Sequence, residues 1–227
     1  MEREQILRNI AEWREKIDEA AQKWGGAQIC AVTKTQNAET INAICEGGLF
    51  RIGENRVQEL LGKCDALDPR LTVDLIGSLQ TNKVKYIVDK VSMIQSVDRI
   101  ELAEEISKRM LPTGRAMDCL IQVNIAREPQ KGGVSEEALP ALLDVCAALP
   151  GIRVRGLMAI MPLVSDPEDV RPYFRSMRSL FDRLRDMPRD HIQMETLSMG
   201  MSGDAIVAAE EGATMVRLGR ALFGARS

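Results

Sequence analysis

The feature that most constrains this chain is an alternation that repeats along its whole length. Apolar runs with strand character recur at 29–33, 50–52, 72–76, 93–96, 119–125, 154–160, 193–197 and 214–218. Helix-like segments separate them at 38–46, 55 to about 64, 81–88, 100–110, 139–146, 170–184 and 204–211. A further helix precedes the first strand, with Ile6, Ile10, Trp13, Ile17 and Ala20 on one face and Gly25-Gly26 stopping it. Every strand but the last is thus followed by a helix. Alternation of this kind demands a parallel sheet covered by helices. Eight units in 227 residues predict a single α/β domain over 1–227, a closed (β/α)8 TIM barrel with an extra N-terminal helix. The alternative is an open doubly wound sheet, but a dinucleotide fold wants G-x-G-x-x-G after its first strand. Here that strand runs into Thr33-Lys34-Thr35-Gln36, which has no glycine.

Composition excludes several functions. The net charge is −3, without the basic excess of a non-specific nucleic-acid binder. The cysteines, Cys30, Cys45, Cys64, Cys119 and Cys146, include no C-x-x-C pair, and His191 is the sole histidine, so no metal site is expected. An odd number of cysteines fits a reducing compartment. The charged N-terminus, Glu2-Arg3-Glu4, has no apolar signal core, and no apolar run is long enough for a membrane span. A cytoplasmic protein without membrane or nucleic-acid partners is expected.

In a barrel the working face lies at the carboxyl ends of the strands, and three clusters fall there. Lys34 follows the first strand; a lysine partly desolvated by barrel walls becomes a nucleophile toward aldehydes. The plain alternative is a surface lysine in a loop. The second cluster, Leu197-Ser198-Met199-Gly200-Met201-Ser202-Gly203-Asp204, precedes a helix. Its glycines allow close backbone approach, and Ser202 offers a hydroxyl at a helix start that favours phosphate. Simple helix capping by Ser202 or Asp204 is the alternative. The third cluster, Val216-Arg217-Leu218-Gly219-Arg220, ends the last strand. Gly219 adds a backbone N–H where barrels hold phosphate between strands seven and eight. Arg217 needs a buried partner, either a ligand or a core carboxylate. Together the clusters suit a phosphorylated aldehyde, whether a cofactor or the substrate of a Schiff-base aldolase.

The motifs Ala31-Val32-Thr33-Lys34-Thr35, Gly53-Glu54-Asn55-Arg56-Val57-Gln58-Glu59, Ile76-Gly77-Ser78-Leu79-Gln80-Thr81-Asn82-Lys83, Arg155-Gly156-Leu157-Met158-Ala159-Ile160, Leu197-Ser198-Met199-Gly200-Met201-Ser202 and Val216-Arg217-Leu218-Gly219 resemble those of the pyridoxal phosphate homeostasis proteins, relatives of the N-terminal barrel of alanine racemase. The resemblance runs from about residue 4 to residue 226. It implies that Lys34 holds pyridoxal 5′-phosphate as an internal aldimine. It implies that Ser202 and the backbone of Gly219 and Arg220 hold the phosphate, that Arg217 faces the pyridine nitrogen, and that Asn55 and Met158 line the pocket. The implied role is an intracellular carrier of the cofactor that affects amino-acid and keto-acid metabolism, with no catalytic residues of its own. Apo-enzymes that use the cofactor are the implied partners, and a monomer is expected. The chain departs from the family pattern at Asp74, where histidine is usual, at Arg56, where tyrosine is usual, and at Arg220, where threonine or serine is usual. An amino-acid racemase is the competing reading; it needs a second acid/base from a β domain, for which no residues are expected after Ser227.

Overall fold

Strands buried on both faces gain nothing from polar alternation, and the eight apolar runs do pair side by side, each parallel to its neighbour. The last pairs with the first, through Ile29↔Val216 and Cys30↔Arg217, and the sheet closes into a barrel. The computed structural model describes residues 2–128, 130–187 and 189–224. Met1, Pro129, Pro188 and residues 225–227, which the expected domain includes, lie outside the described residues.

The chain begins with α1 (Arg3–Ala20), ended by a 3-10 turn and Gly25 in the left-handed region. Then follow β1 (Gln28–Val32), α2 (Ala38–Ala43), β2 (Arg51–Glu54), α3 (Val57–Leu61) and β3 (Thr72–Leu75). Next come β4 (Met93–Val97), α4 (Ile100–Met110), β5 (Met117–Gln122), α5 (Leu139–Ala147) and β6 (Ile152–Met158). The last elements are α6 (Arg171–Arg185), β7 (Ile192–Met201), α7 (Ala205–Glu210), β8 (Met215–Leu218) and α8 (Arg220–Phe223). The extra helix α1 lies against α7 and α8 and buries Ile6, Ile10 and Ile17.

Four elements differ from expectation. The crossover after β3 is a 3-10 helix, Thr81–Tyr86. Val84 within it and Ile87 at its C-cap are buried three residues apart, a spacing that suits three residues per turn. The fifth strand ends at Gln122, because Val123 makes only an isolated bridge to Val134 before the chain leaves the sheet. The seventh strand continues to Met201, so the segment expected to be loop is the end of β7. A register shift against β8 between Ser198 and Met201 accommodates it. Finally, β8 is followed by a helix, the short α8.

The core has two compartments. The larger lies between barrel and helices and includes Ile41, Leu60, Ile106, Leu143 and Phe174. The smaller, Met93, Leu120 and Met158 with Ile160 against it, forms a separate cluster drawn from β4, β5 and β6. Among the described residues no helix is long and apolar enough to cross a membrane.

Candidate functional site

Lys34 lies half-buried in a turn just past the end of β1. The turn closes through Gln36 N–H donating to Thr33 O at 3.1 Å. Thr35 sits at the third position with φ +68°, where a turn of this kind wants glycine. A β-branched residue there is strained, and surrounding structure must hold it. The Lys63 ammonium does so, donating to Thr33 O at 3.0 Å and Gln36 O at 3.3 Å. Glu59 accepts from Thr35 N–H, and Glu54 accepts from Thr33 Oγ1. Lys63 pairs with both carboxylates, at 2.7 Å to Glu54 and 3.2 Å to Glu59. The segment carrying Lys34 is therefore clamped from β2 and from the stretch following it.

None of these three clamp residues was singled out from sequence. The signal was present in Glu54, a carboxylate inside a strand, which needs a cation. Burial pushes its carboxyl above the usual range, with the Lys63 and Thr33 hydrogen bonds opposing. Its Oε2 is buried without a hydrogen-bond partner.

The second cluster is where geometry most changes the sequence reading. Asp204 stands at the N-cap of α7, but its side chain does not cap that helix; Oδ1 accepts from Met201 N–H at 2.6 Å. Ser202 does not cap α7 either. Its Oγ accepts from Gly219 N–H at 3.2 Å and Ala221 N–H at 3.1 Å. The strand ends of β7 and β8 are thereby joined at the start of α8. The second amide at this hydroxyl, beside that of Gly219, is that of Ala221. A hydroxyl that accepts two N–H bonds has used both lone pairs and is left with one proton to donate.

Arg217 is only 3% exposed. The core carboxylate considered for it is not its partner. One Nη donates to Ser198 Oγ and the other to Ala159 O, each at 2.7 Å. Burial lowers its pKa to about 10, with nearby Asp204 opposing, so the guanidinium remains charged at neutral pH. Next to it on β1, Cys30 is buried and its thiol is pushed upward by burial, which removes it as a nucleophile.

Asn55 directly follows β2, and its Oδ1 is buried without a hydrogen-bond partner. Gly77 makes this corner possible, since a Cβ there would lie 2.2 Å from Asn55 O. Met158 ends β6, fully buried against Met93 and Leu120. Arg220 begins α8. The expected residues thus come from the ends of β1, β2, β6, β7 and β8 on one barrel face, with Met158 and Arg217 facing inward. The donor set fits a phosphorylated pyridine aldehyde: an amine on a clamped turn, a hydroxyl fixed by two amides, a charged donor, and an acceptor without a partner in Asn55 Oδ1. Among the described residues no cluster of His, Cys, Asp and Glu could hold a metal ion.

The family described as "Alanine racemase, N-terminal domain" matches residues 4–227. The pyridoxal phosphate homeostasis protein of Aquifex aeolicus is 47% identical over 218 residues, covering 93% of this chain and 94% of that protein. PipY of Synechococcus elongatus, in a structure with PLP bound, superposes with a TM-score of 0.86 at 33% identity, covering 96% of this chain and all of that one. Alanine racemase of Corynebacterium glutamicum shares the fold alone, at 16% identity and a TM-score of 0.72, with 61% of its length covered. The chain belongs to the alanine racemase N-terminal domain family and, within it, to the pyridoxal phosphate homeostasis proteins.

Proposed function

We propose that this protein binds pyridoxal 5′-phosphate at the carboxyl-end face of its barrel, held by the Lys34 amine, and serves as a cytoplasmic carrier of the cofactor without sustained turnover. The observation that carries the reading is Ser202. Its oxygen is fixed by two backbone amides from the β8 end, so its proton is directed to an acceptor such as phosphate. Relatives named for pyridoxal phosphate homeostasis and a PLP-bound neighbour of the same length support the choice among phosphorylated aldehydes.

The bound cofactor supplies an aldehyde that condenses with amines and a ring that accepts carbanion charge. The protein's own residues decide how far that chemistry goes. The clamp of Glu54, Glu59 and Lys63 fixes the turn from which Lys34 projects. The Ser202 hydroxyl proton and the Arg220 backbone amide, at the turn where Gly219 N–H already donates to Ser202 Oγ, would hold the phosphate, with the Arg220 side chain adding charge at the start of α8. Asn55 and Met158 line the ring pocket. Arg217 can only donate, and it keeps its proton at neutral pH. Placed against a pyridine nitrogen, Arg217 would supply no proton to it and would leave the ring a poor acceptor of carbanion charge. The apo-enzymes that use the cofactor are its recipients, and the carrier works as a monomer.

Absorbance titration with pyridoxal 5′-phosphate and with phosphate-free pyridoxal tests the reading. Saturable uptake of the phosphate ester, with pyridoxal bound far more weakly, is expected. Equal affinity for the two aldehydes contradicts the phosphate cradle, and no uptake of either contradicts the function.

A further inference from the structure

Inside the barrel, behind Arg217, runs a chain of polar side chains that the site itself does not require. Ser198 Oγ, which accepts from Arg217, donates to Gln95 Oε1 at 2.7 Å. Gln95 Nε2 donates to Asp74 Oδ2 at 2.7 Å and also lies 3.3 Å from Met215 Sδ. Asp74 accepts from Arg51, whose Nη1 reaches both carboxylate oxygens at 2.7 and 2.9 Å. Ser198 is on β7 and Gln95 on β4, so the chain crosses the barrel interior from wall to wall and ends on β2. Asp74, Gln95, Ser198 and Arg217 are all buried, whereas Arg51, first residue of β2, is partly exposed.

The hydrogen-bond sense of every link is dictated from the two ends. Arginine only donates. Ser198 Oγ must therefore accept from Arg217, and its own proton goes to Gln95. The Gln95 oxygen must then accept, which leaves its amide to donate to Asp74. Asp74, the one carboxyl group in this chain of contacts, accepts from Gln95 and Arg51; burial raises its pKa, with Arg51 and the Gln95 hydrogen bond opposing. Neighbouring interior positions are Met93, Leu120 and Met158. Apolar residues would fill the same space without the cost of burying an amide and a carboxylate, and such replacements are commonly neutral or stabilising.

We propose that Gln95 and Asp74 are positioning residues for Arg217: a buried relay of fixed direction, from Arg217 through Ser198 and Gln95 to Asp74 and Arg51, holds the guanidinium in the one orientation that presents its remaining N–H groups to the ring of the bound cofactor. The functional half of this inference rests on the cofactor reading above; the orientation of Arg217 does not. Charged and titratable groups bearing on the relay are Arg51 and Asp118 near Asp74, Asp204 near Arg217, and the Cys30 thiol on β1, which bears on Asp74, Arg51 and Arg217.

The test uses three proteins: wild type, Gln95→Met, which cuts the relay with a side chain of similar size, and Gln95→Glu. A protonated Glu at this position accepts from Ser198 and donates to Asp74 as the amide does. An ionised one cannot donate, and places like charges together. The first measurement is made without cofactor, on protein labelled with nitrogen-15 in arginine. A held guanidinium gives separate Nη resonances, assigned to Arg217 by their loss in Arg217→Lys. Separate resonances are expected in wild type, averaged ones in Gln95→Met, and in Gln95→Glu separate at acid pH and averaged on raising the pH. The second measurement is cofactor affinity, expected to fall about tenfold in Gln95→Met, the effect of one hydrogen bond, and to follow the same pH course in Gln95→Glu. Thermal melts show whether each variant folds, and Ser198→Ala replaces Gln95→Met if that variant does not. Wild-type resonances and affinity in a folded Gln95→Met protein overturn the relay. A wild-type protein that takes up no cofactor refutes the cofactor reading, while the resonances still decide whether Gln95 orients Arg217.

Discussion

Replacing Gly200 with alanine puts a methyl group where none fits. Gly200 lies in β7 with φ +89°, two residues before Ser202. A Cβ built there sits 2.4 Å from the Cβ of Ala208 and 3.2 Å from the Cα of Ala205, both in α7. Alanine has no rotamer with which to escape, so relief requires moving α7 away from β7. The positive φ costs an L-residue roughly 1–2 kcal/mol. The overlap adds a packing penalty of about 1–3 kcal/mol. Together Gly200→Ala is expected to destabilise by about 2–5 kcal/mol, and to weaken phosphate binding because Ser202 shifts with the strand. The two contributions can be separated. Ala208→Gly removes the overlapping methyl at a cost of about 1 kcal/mol, the price of glycine in a helix. In the double variant the φ strain remains and the overlap does not. The double variant should therefore be less destabilised than the sum of the singles by about 1–3 kcal/mol. Urea midpoints at constant m-value give all four stabilities. Stability of Gly200→Ala within about 0.5 kcal/mol of wild type, or an additive cycle, refutes the reasoning.

Further outcomes follow from the same geometry. Ser202→Ala should weaken pyridoxal 5′-phosphate binding by about 1–2 kcal/mol, or roughly five- to thirtyfold, and leave pyridoxal binding unchanged; an equal loss for both would mean that the hydroxyl does not serve the phosphate. Glu54, whose carboxyl is raised in the folded state from an ordinary 4.5, binds its proton more tightly when folded. Its contribution to stability is therefore fully present below about pH 4.5 and is lost as pH rises through the folded value. The stability of wild type relative to Glu54→Gln, measured in urea across this range, should rise on acidification; a fall would reverse the assignment. The cofactor-loaded protein incubated with L-alanine in deuterated water should show no multiple-turnover exchange of the α-proton and no change in enantiomer ratio. Robust racemisation lost in Lys34→Ala would overturn the carrier reading.

The barrel was legible because parallel strands leave a simple record: apolar runs separated by helix-length segments. Lys34 draws attention because it terminates such a run, and Ser202 and Gly219 because phosphate prefers amides at chain reversals; their role toward the cofactor is proposed. What escaped was whatever depends on closure of the barrel. Ser198, Gln95 and Asp74 lie on three strands far apart in sequence and meet only because the interior brings β3, β4 and β7 together. Capping of the following helix is the plain alternative for Ser202, but its oxygen serves α8 across a register shift that no local pattern encodes. The Glu54–Lys63 pair is different. A carboxylate in a buried strand is as conspicuous as Arg217, and the rule that sent Arg217 in search of a partner applies to it unchanged.

Borohydride reduction of the loaded protein, followed by proteolysis and peptide mass mapping, decides whether Lys34 holds the cofactor. Visible absorbance should bleach and the mass of the reduced cofactor should be found on the peptide containing Lys34, while Lys34→Ala protein should acquire no such label. Label of equal extent on Lys63, Lys131 or another lysine, or retained by the Lys34→Ala protein, would contradict that role for Lys34.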